Sequence, residues 1–289
     1  MYKLNCCVAV VSASVPLILA GSASGEVIGL KTVKKFVDPA EIAADVNIPG
    51  ITSLLVVNVY AEFTPGDTAA EVLAVGGSTA LGISLQINTR DGTFFQHPLG
   101  NGTHRSPSAA LADMPGFNTL RNDSFITIGR KLDNDPIDGF DHTGIIGLDP
   151  GGWTTTQLTG SDEFAWFIYG RLPQGAPGQG PDNPLDQVLI GQYTVANPGA
   201  DGGVFGQMFV FGYHTNAQGV VETFTITGVI PGPDINDDGM VNAADLTLLI
   251  KAWGDCPGQP DFCSADFDLD SKVAVPDLLT LLWAWGPVP

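Results

Sequence analysis

The sequence predicts a mainly β protein, an antiparallel sandwich of jelly-roll-like kind, followed by a small α-helical pair of loop–helix repeats. Three observations carry this. The chain holds 36 Gly and 21 Pro in 289 residues, which sets turns close together and leaves little room for long helices. Its middle contains short runs in which apolar and polar residues alternate with period two. Its last fifty-odd residues contain one pattern written twice, and each copy ends in an apolar stripe of helical period.

Taken in order, residues 1–25 read as a secretory signal: Lys3 is the charged start, 8–20 is an apolar run too short to span a bilayer, and Ala23-Ser24-Gly25 is a small-residue cleavage site. Secretion, to the extracellular space or the cell surface, is the expected localisation. Cys6 and Cys7 leave with that segment. No later stretch is apolar for long enough to be a membrane span.

Residues 26–228 form the expected body, large enough for one β domain with a real core. Within 54–63, Leu55, Val57, Val59, Ala61 and Phe63 fall on one side, with Asn58, Tyr60 and Glu62 among those on the other. In 221–227, Phe224 and Ile226 alternate with Thr223, Thr225 and Thr227. Further strands are expected over 70–75, 82–87, 124–128, 164–169, 187–195 and 208–213, separated by Gly, Pro, Asn and Asp clusters. Residues 38–45 make at most one or two helical turns. Two long loops, 131–152 and 172–186, interrupt the strands. Residues 229–233, rich in Pro and Gly, read as a short semi-rigid linker, and 234–289 is the C-terminal domain.

Asp and Glu total 31 against 12 Lys and Arg, a formal charge of −19, so nucleic acid and anionic membrane surfaces are poor partners. The body offers no metalloprotease, nucleophile-elbow or phosphate-loop motif. His97, His104, His142 and His214 are scattered and read as surface or turn residues. The acidic run 133–141 is either a solvated turn or a third calcium site of irregular spacing. Glu62, Glu71, Asp162, Glu163 and Glu222 lie in or near strands, but nothing singles out the facing pair that a glycoside hydrolase needs. Trp166 is expected in the core. Trp153, after Gly151-Gly152, is the aromatic expected to be exposed.

The duplicate runs from Asp234 to Gly254 and again from Asp266 to Gly286, every position offset by 32. A twelve-residue calcium loop supplies oxygen from positions 1, 3, 5, 7, 9 and 12, the seventh through its backbone carbonyl. In the first copy these are Asp234, Asn236, Asp238, the Met240 carbonyl, Asn242 and Asp245, with Gly239 at the sharp turn. In the second they are Asp266, Asp268, Asp270, the Lys272 carbonyl, Ala274 and Asp277. Ala274 has no side-chain oxygen, so water must stand in, and Ser271 replaces the glycine. Two Ca2+ sites are expected, the second weaker. Val241 and Val273, at the eighth position of each loop, are expected to pair the loops through a short β-bridge.

The stripes Leu246, Leu249, Ile250, Trp253 and Leu278, Leu281, Leu282, Trp285 put two short helices face to face. Cys256 and Cys263 are the mature chain's two cysteines, and in an oxidising compartment they are expected to form a disulfide. The closed loop is short, so it contributes at most about 2–3 kcal/mol.

The last ligand is Asp rather than Glu, no helix precedes either loop, and Pro231-Gly232-Pro233 leads straight into the first. This loop-then-helix duplicate resembles the type I dockerin family. The Trp-Gly endings and the cysteines between the repeats resemble, more narrowly, the GC-type dockerin tails of secreted bacterial proteins. The resemblance implies calcium-dependent docking onto a cohesin-like or surface protein. It also implies that loop positions 10 and 11, here Ala243, Ala244, Val275 and Pro276, help choose the partner. In the family these are often Ser or Thr, so this chain departs from the common partner code.

Two functions follow as expectations. In one, the tail tethers a non-catalytic β-sandwich to a surface or extracellular assembly. In the other, the body binds or hydrolyses polysaccharide and the tail carries it into a cellulosome-like complex. If the body is an enzyme, a glycoside hydrolase is the class expected.

Overall fold

The computed structural model describes residues 27–64, 70–77, 85–90, 92–100, 105–132, 143–146, 153–159, 164–168, 172–179, 182–199, 203–215, 219–230, 233–236, 240–256, 265–267 and 272–287. The signal segment, the acidic run 133–141 and the sites Asp238, Asp268, Asp270 and Cys263 therefore lie outside the described residues.

The body is a sandwich of two antiparallel sheets. Sheet one runs β1 (Val27–Phe36), β2 (Leu54–Phe63), β10 (Gln187–Ala196), with β5 (Thr93–Phe94) and β6 (Phe125–Ile126) both paired to β10. Sheet two runs β7 (Thr143–Ile146), β9 (Ala165–Ile168), β3 (Glu71–Gly76), β11 (Gly203–Thr215), β4 (Gln86–Arg90), β8 (Gln157–Thr159). The thirteen-residue β11 is its spine: β12 (Val221–Ile230) lines one edge, and β3 and β4 lie end to end along the other.

The alternation of β2 sends Leu55, Val57, Val59, Ala61 and Phe63 into one core with Val204, Met208 and Val210 of β11. Trp166 is fully buried there, and its Nε1–H donates to the carbonyls of Thr127 at 3.0 Å and Ile190 at 2.9 Å. Trp153 is buried as well, against the expectation of exposure; its ring meets Phe94 edge-on at 5.6 Å between centroids. A loop tryptophan next to a gap in the sandwich gains more from filling it than from solvent.

The other side of β2 is also covered. Leu54 and Val56 pack with Val37, Ile42, Ile48, Phe95 and Ala196 in a second, smaller core. Helix α1 (Pro39–Ala44) contributes Ile42; Asp38 caps it by accepting from the Ala40 N–H at 2.8 Å, and Pro39 opens it. Phe95 and the segment 105–122, with α2 (Ala109–Ala112), lay a cover over this face.

That cover buries His97, expected at the surface. His97 Nε2 lies 3.1 Å from Asp45 Oδ2, and Nδ1 accepts the Leu99 N–H at 3.1 Å. Nδ1 is thus the acceptor, and Nε2 is the donor to Asp45. Burial raises the Asp45 carboxyl, but hydrogen bonds from Thr119 and Asn47 outweigh it and hold it below its ordinary value. Nearby, burial pushes the Asp123 carboxyl up to about 7, against two backbone N–H donors, His97 and Ser124.

In the loop expected to be irregular, 172–186, the described residues are tied down by Asn183. Asn183 Nδ2 donates to the carbonyls of Gln174 at 2.8 Å and Ala176 at 3.0 Å, and its Oδ1 accepts the Leu189 N–H at 3.0 Å. Strand β12 runs on to Ile230, so Val229 and Ile230, assigned above to the linker, are buried ladder residues opposite Gln207 and Gly206.

Candidate metal centre

The tail folds as two copies of one unit: a two-residue strand, a nine-residue helix, and a second two-residue strand. These are β13 (Met240–Val241), α3 (Ala243–Lys251) and β14 (Gly254–Asp255), then β15 (Lys272–Val273), α4 (Val275–Trp283) and β16 (Gly286–Pro287). The strands exchange between copies. Val241 pairs with Gly286 and Met240 with Pro287, while Val273 pairs with Gly254 and Lys272 with Asp255. The expected Val241–Val273 bridge does not form; each loop instead pairs with the residues after the other copy's helix. The Trp-Gly endings acquire a reason here. Gly254 and Gly286 turn the chain back with φ of 118° and 132°, a region closed to residues with a side chain.

Both loops bury their first and last acidic positions. Asp234 is 7% exposed, Asp266 4%, Asp245 0% and Asp277 1%. Asp245 and Asp277 are the third residues of their helices and reach back. Asp245 Oδ2 accepts the Asn242 N–H at 2.8 Å, and Oδ1 the Asn236 N–H at 3.1 Å. Asp277 Oδ2 accepts the Ala274 N–H at 2.8 Å, and Oδ1 the Phe267 N–H at 2.6 Å. Each carboxylate therefore both starts its helix and closes its loop. Each loop thus buries two carboxylates, the last of them held by neutral backbone donors, and both have lost much of their hydration. A hard divalent cation is the chemical complement of that set.

The two copies differ at position 9. Asn242 Oδ1 accepts the Ala244 N–H at 2.8 Å, and its Nδ2 donates to the Met240 carbonyl at 3.1 Å. Ala274 offers neither bond, so the second helix starts with half of the reciprocal cap. Lys272, whose carbonyl was expected to face the cation, holds its ammonium out towards Asp255 at 3.8 Å. Among the described residues no three acidic, His or Cys side chains converge on one point.

The helices bury a narrower stripe than expected. Ile235, Val241, Leu249, Ala265, Val273 and Leu281 form the tail's core, with Leu246, Leu248, Cys256, Phe267 and Leu278 packed around it. Ile250, Trp253, Leu282 and Trp285, expected inside, are 58%, 47%, 45% and 48% exposed. With only two short helices, the core closes on one residue per helix, Leu249 and Leu281, plus the loop valines. Ala243, Ala244, Val275 and Pro276 are all exposed at the start of their helices. Cys256 Sγ lies 3.6 Å from Asp266 Oδ2.

In the body, two of the acidic strand residues have partners close by. Glu71 accepts from the Tyr213 hydroxyl at 2.7 Å and the Leu172 N–H at 2.8 Å. Glu222 faces His214 across the β11–β12 ladder at 3.6 Å. His104, His142, Asp162 and Glu163 lie outside the described residues.

No curated protein matches the chain. Residues 233–282 match the family model of the dockerin type I domain. Domains of that class bind calcium through paired EF-hand-like loops and support calcium-dependent protein–protein docking. The chain thus ends in a dockerin type I domain, with Ca2+ as its cofactor.

Proposed function

We propose that this is a secreted protein whose tail docks a β-sandwich cargo onto a cohesin-like or surface partner when calcium is bound. The observation that carries the docking reading is the outer face of α4. Val275, Leu279, Leu282 and Trp283 fall at i, i+4, i+7 and i+8, and are 57%, 47%, 45% and 84% exposed. They form a second apolar stripe, on the side away from the buried Asp277 and Leu281. A nine-residue helix with apolar residues on both faces has one face to give to a partner. The equivalent stripe of α3 is Ala243, Thr247, Ile250 and Lys251, which is smaller and more polar. Copy two therefore carries the main contact.

In this reading the first cation is held by Asp234, Asn236, Asp238, the Met240 carbonyl, Asn242 and Asp245. The second is held by Asp266, Asp268, Asp270, the Lys272 carbonyl and Asp277, with water at Ala274. The cation neutralises the buried carboxylates, and the exchanged strands then lock the loops to the far ends of the helices. Residues 1–25 direct export, Cys256 and Cys263 pair after it, and the body gives way to the tail at 231–233.

The full-length chain, immobilised, is exposed to cohesin modules and to surface extract of the producing cell, with calcium and with chelator. Calcium-dependent retention that Trp283→Ala abolishes is the expected outcome. Retention indifferent to chelator, or to that substitution, would refute the reading.

A second reading, polysaccharide binding by the body, is favoured by one observation. Phe209, Phe211 and Tyr213 line the outer face of β11, half-buried, in register with Thr227, Thr225 and Thr223 of β12. Flat rings bordered by hydroxyls suit the faces and edges of sugars.

A further inference from the structure

The outer face of sheet one carries a cavity of about 340 Å³. It is assembled from segments far apart in the chain. Val56 and Asn58 of β2 and Gln192 of β10 make its floor, and Lys35 of β1, Arg121, Lys131 and Asp182 stand around it. Its volume lies within the range of small-molecule sites, at their lower end.

Its charge is opposite to that of the chain. Three cations face one carboxylate, in a protein of formal charge −19. Arg121 is partly engaged at the rim, donating to Asp113 Oδ1 at 3.0 Å and to the Ala112 carbonyl at 3.1 Å. Lys35 and Lys131 therefore supply most of the attraction for an anion.

The floor supplies acceptors. Asn58 is 8% exposed, and its Oδ1 has no hydrogen-bond partner among the described residues. That oxygen has almost no accessible surface, so the acceptors open to a ligand are those of Gln192 and Asp182. Gln192 Nε2 is committed to the carbonyls of Arg121 at 3.0 Å and Asp123 at 2.8 Å, which leaves its Oε1 as an acceptor. Asp182 Oδ2 takes the Lys131 N–H at 2.7 Å and has further lone pairs.

Cationic donors at the walls and neutral or anionic acceptors at the floor ask for a ligand with both an anionic group and hydroxyl donors. Sulfate would satisfy the lysines and leave the acceptors unmet, and inorganic phosphate, with one or two hydroxyls, would meet them only in part. A neutral sugar would satisfy the acceptors and leave the lysines without a counter-charge. We infer that this cavity binds a uronic-acid residue, its carboxylate between Lys35 and Lys131 and its hydroxyls on Gln192 Oε1 and Asp182. The inference depends neither on the docking role of the tail nor on the aromatic row of sheet two.

The test titrates the full-length protein with galacturonate, glucuronate, glucose and inorganic phosphate, followed by calorimetry or ligand-observed NMR. At least one uronate is expected to bind at least about tenfold more tightly than glucose or phosphate. Lys35→Gln and Lys131→Gln should each weaken that binding by about tenfold, with the unfolding midpoint unchanged because Lys35 is exposed and neither ammonium has a carboxylate partner within ion-pair distance among the described residues. No measurable uronate binding would overturn the inference. So would phosphate binding as tightly as the uronate, or uronate binding that survives both substitutions.

Discussion

Replacing Asp245 by Asn separates a cation ligand from a helix cap. The carboxylate is 0% exposed and accepts two backbone N–H groups, from Asn242 at 2.8 Å and Asn236 at 3.1 Å. The amide keeps the shape but turns one acceptor into a donor. Losing one charge-assisted bond of this kind costs about 1–3 kcal/mol whatever the cation concentration. If Asp245 also holds Ca2+, a second cost appears only in calcium. A ligand at 100 to 1,000 times its dissociation constant stabilises the folded state by about 2.7–4.1 kcal/mol, and the variant forfeits that amount. The substitution should therefore cost about 3–4 kcal/mol more in saturating calcium than in chelator. Amide hydrogen exchange across α3, centred on the buried Leu249, reports this for the tail without interference from the body. Equal costs in the two conditions would show that Asp245 is a cap and nothing more.

Three further outcomes are expected. A two-site calcium titration should resolve a weaker second site, since Ala274 lacks the capping oxygen that Asn242 supplies; equal affinities would refute the asymmetry. Asp123 is pushed up to about 7 by burial, so the folded chain holds a proton that the unfolded chain releases near 4, and stability should fall as pH rises from about 4 to 7. The fall is at most about 4 kcal/mol, Asp123→Asn should remove that slope, and an unchanged slope would assign it elsewhere. Cys256 and Cys263 of the exported protein should resist alkylation until reduced, and free thiols would remove the staple from the account.

Much of the architecture was legible because burial imposes a period. Leu55 through Phe63 alternate and do face the core, and β3, β9, β10 and β11 lie where apolar runs were bounded by turn residues. The edge strand β1 was hidden by its charges, since Lys31, Lys34 and Lys35 interrupt any apolar rhythm. Such lysines are what an edge strand carries to deter pairing with other chains. The second core is hidden in the sequence because Leu54 and Val56 are buried by Phe95 and the segment 105–122, which has no strand or helix period of its own. His97 and Trp153 were misplaced for the same reason: a long-range contact, with Asp45 or Phe94, decides their burial.

In the tail, the spacing of the acidic residues and the duplication located the loops, and the last aspartate stands out because it both caps its helix and closes its loop. The strand exchange was not legible. Two-residue strands have no periodicity, and only the glycines at 254 and 286 hinted that the chain turns back there. The cavity on sheet one was invisible too, because Lys35, Asn58, Lys131 and Asp182 carry no local pattern and meet only through the fold.

The most direct test of the account is retention of the full-length chain by a panel of cohesin modules and surface proteins, measured in calcium, in chelator and with Trp283→Ala. The account predicts a partner held in calcium, released by chelator, and lost when the α4 face is truncated. A partner held equally well by the Trp283→Ala protein, or without calcium, would contradict it.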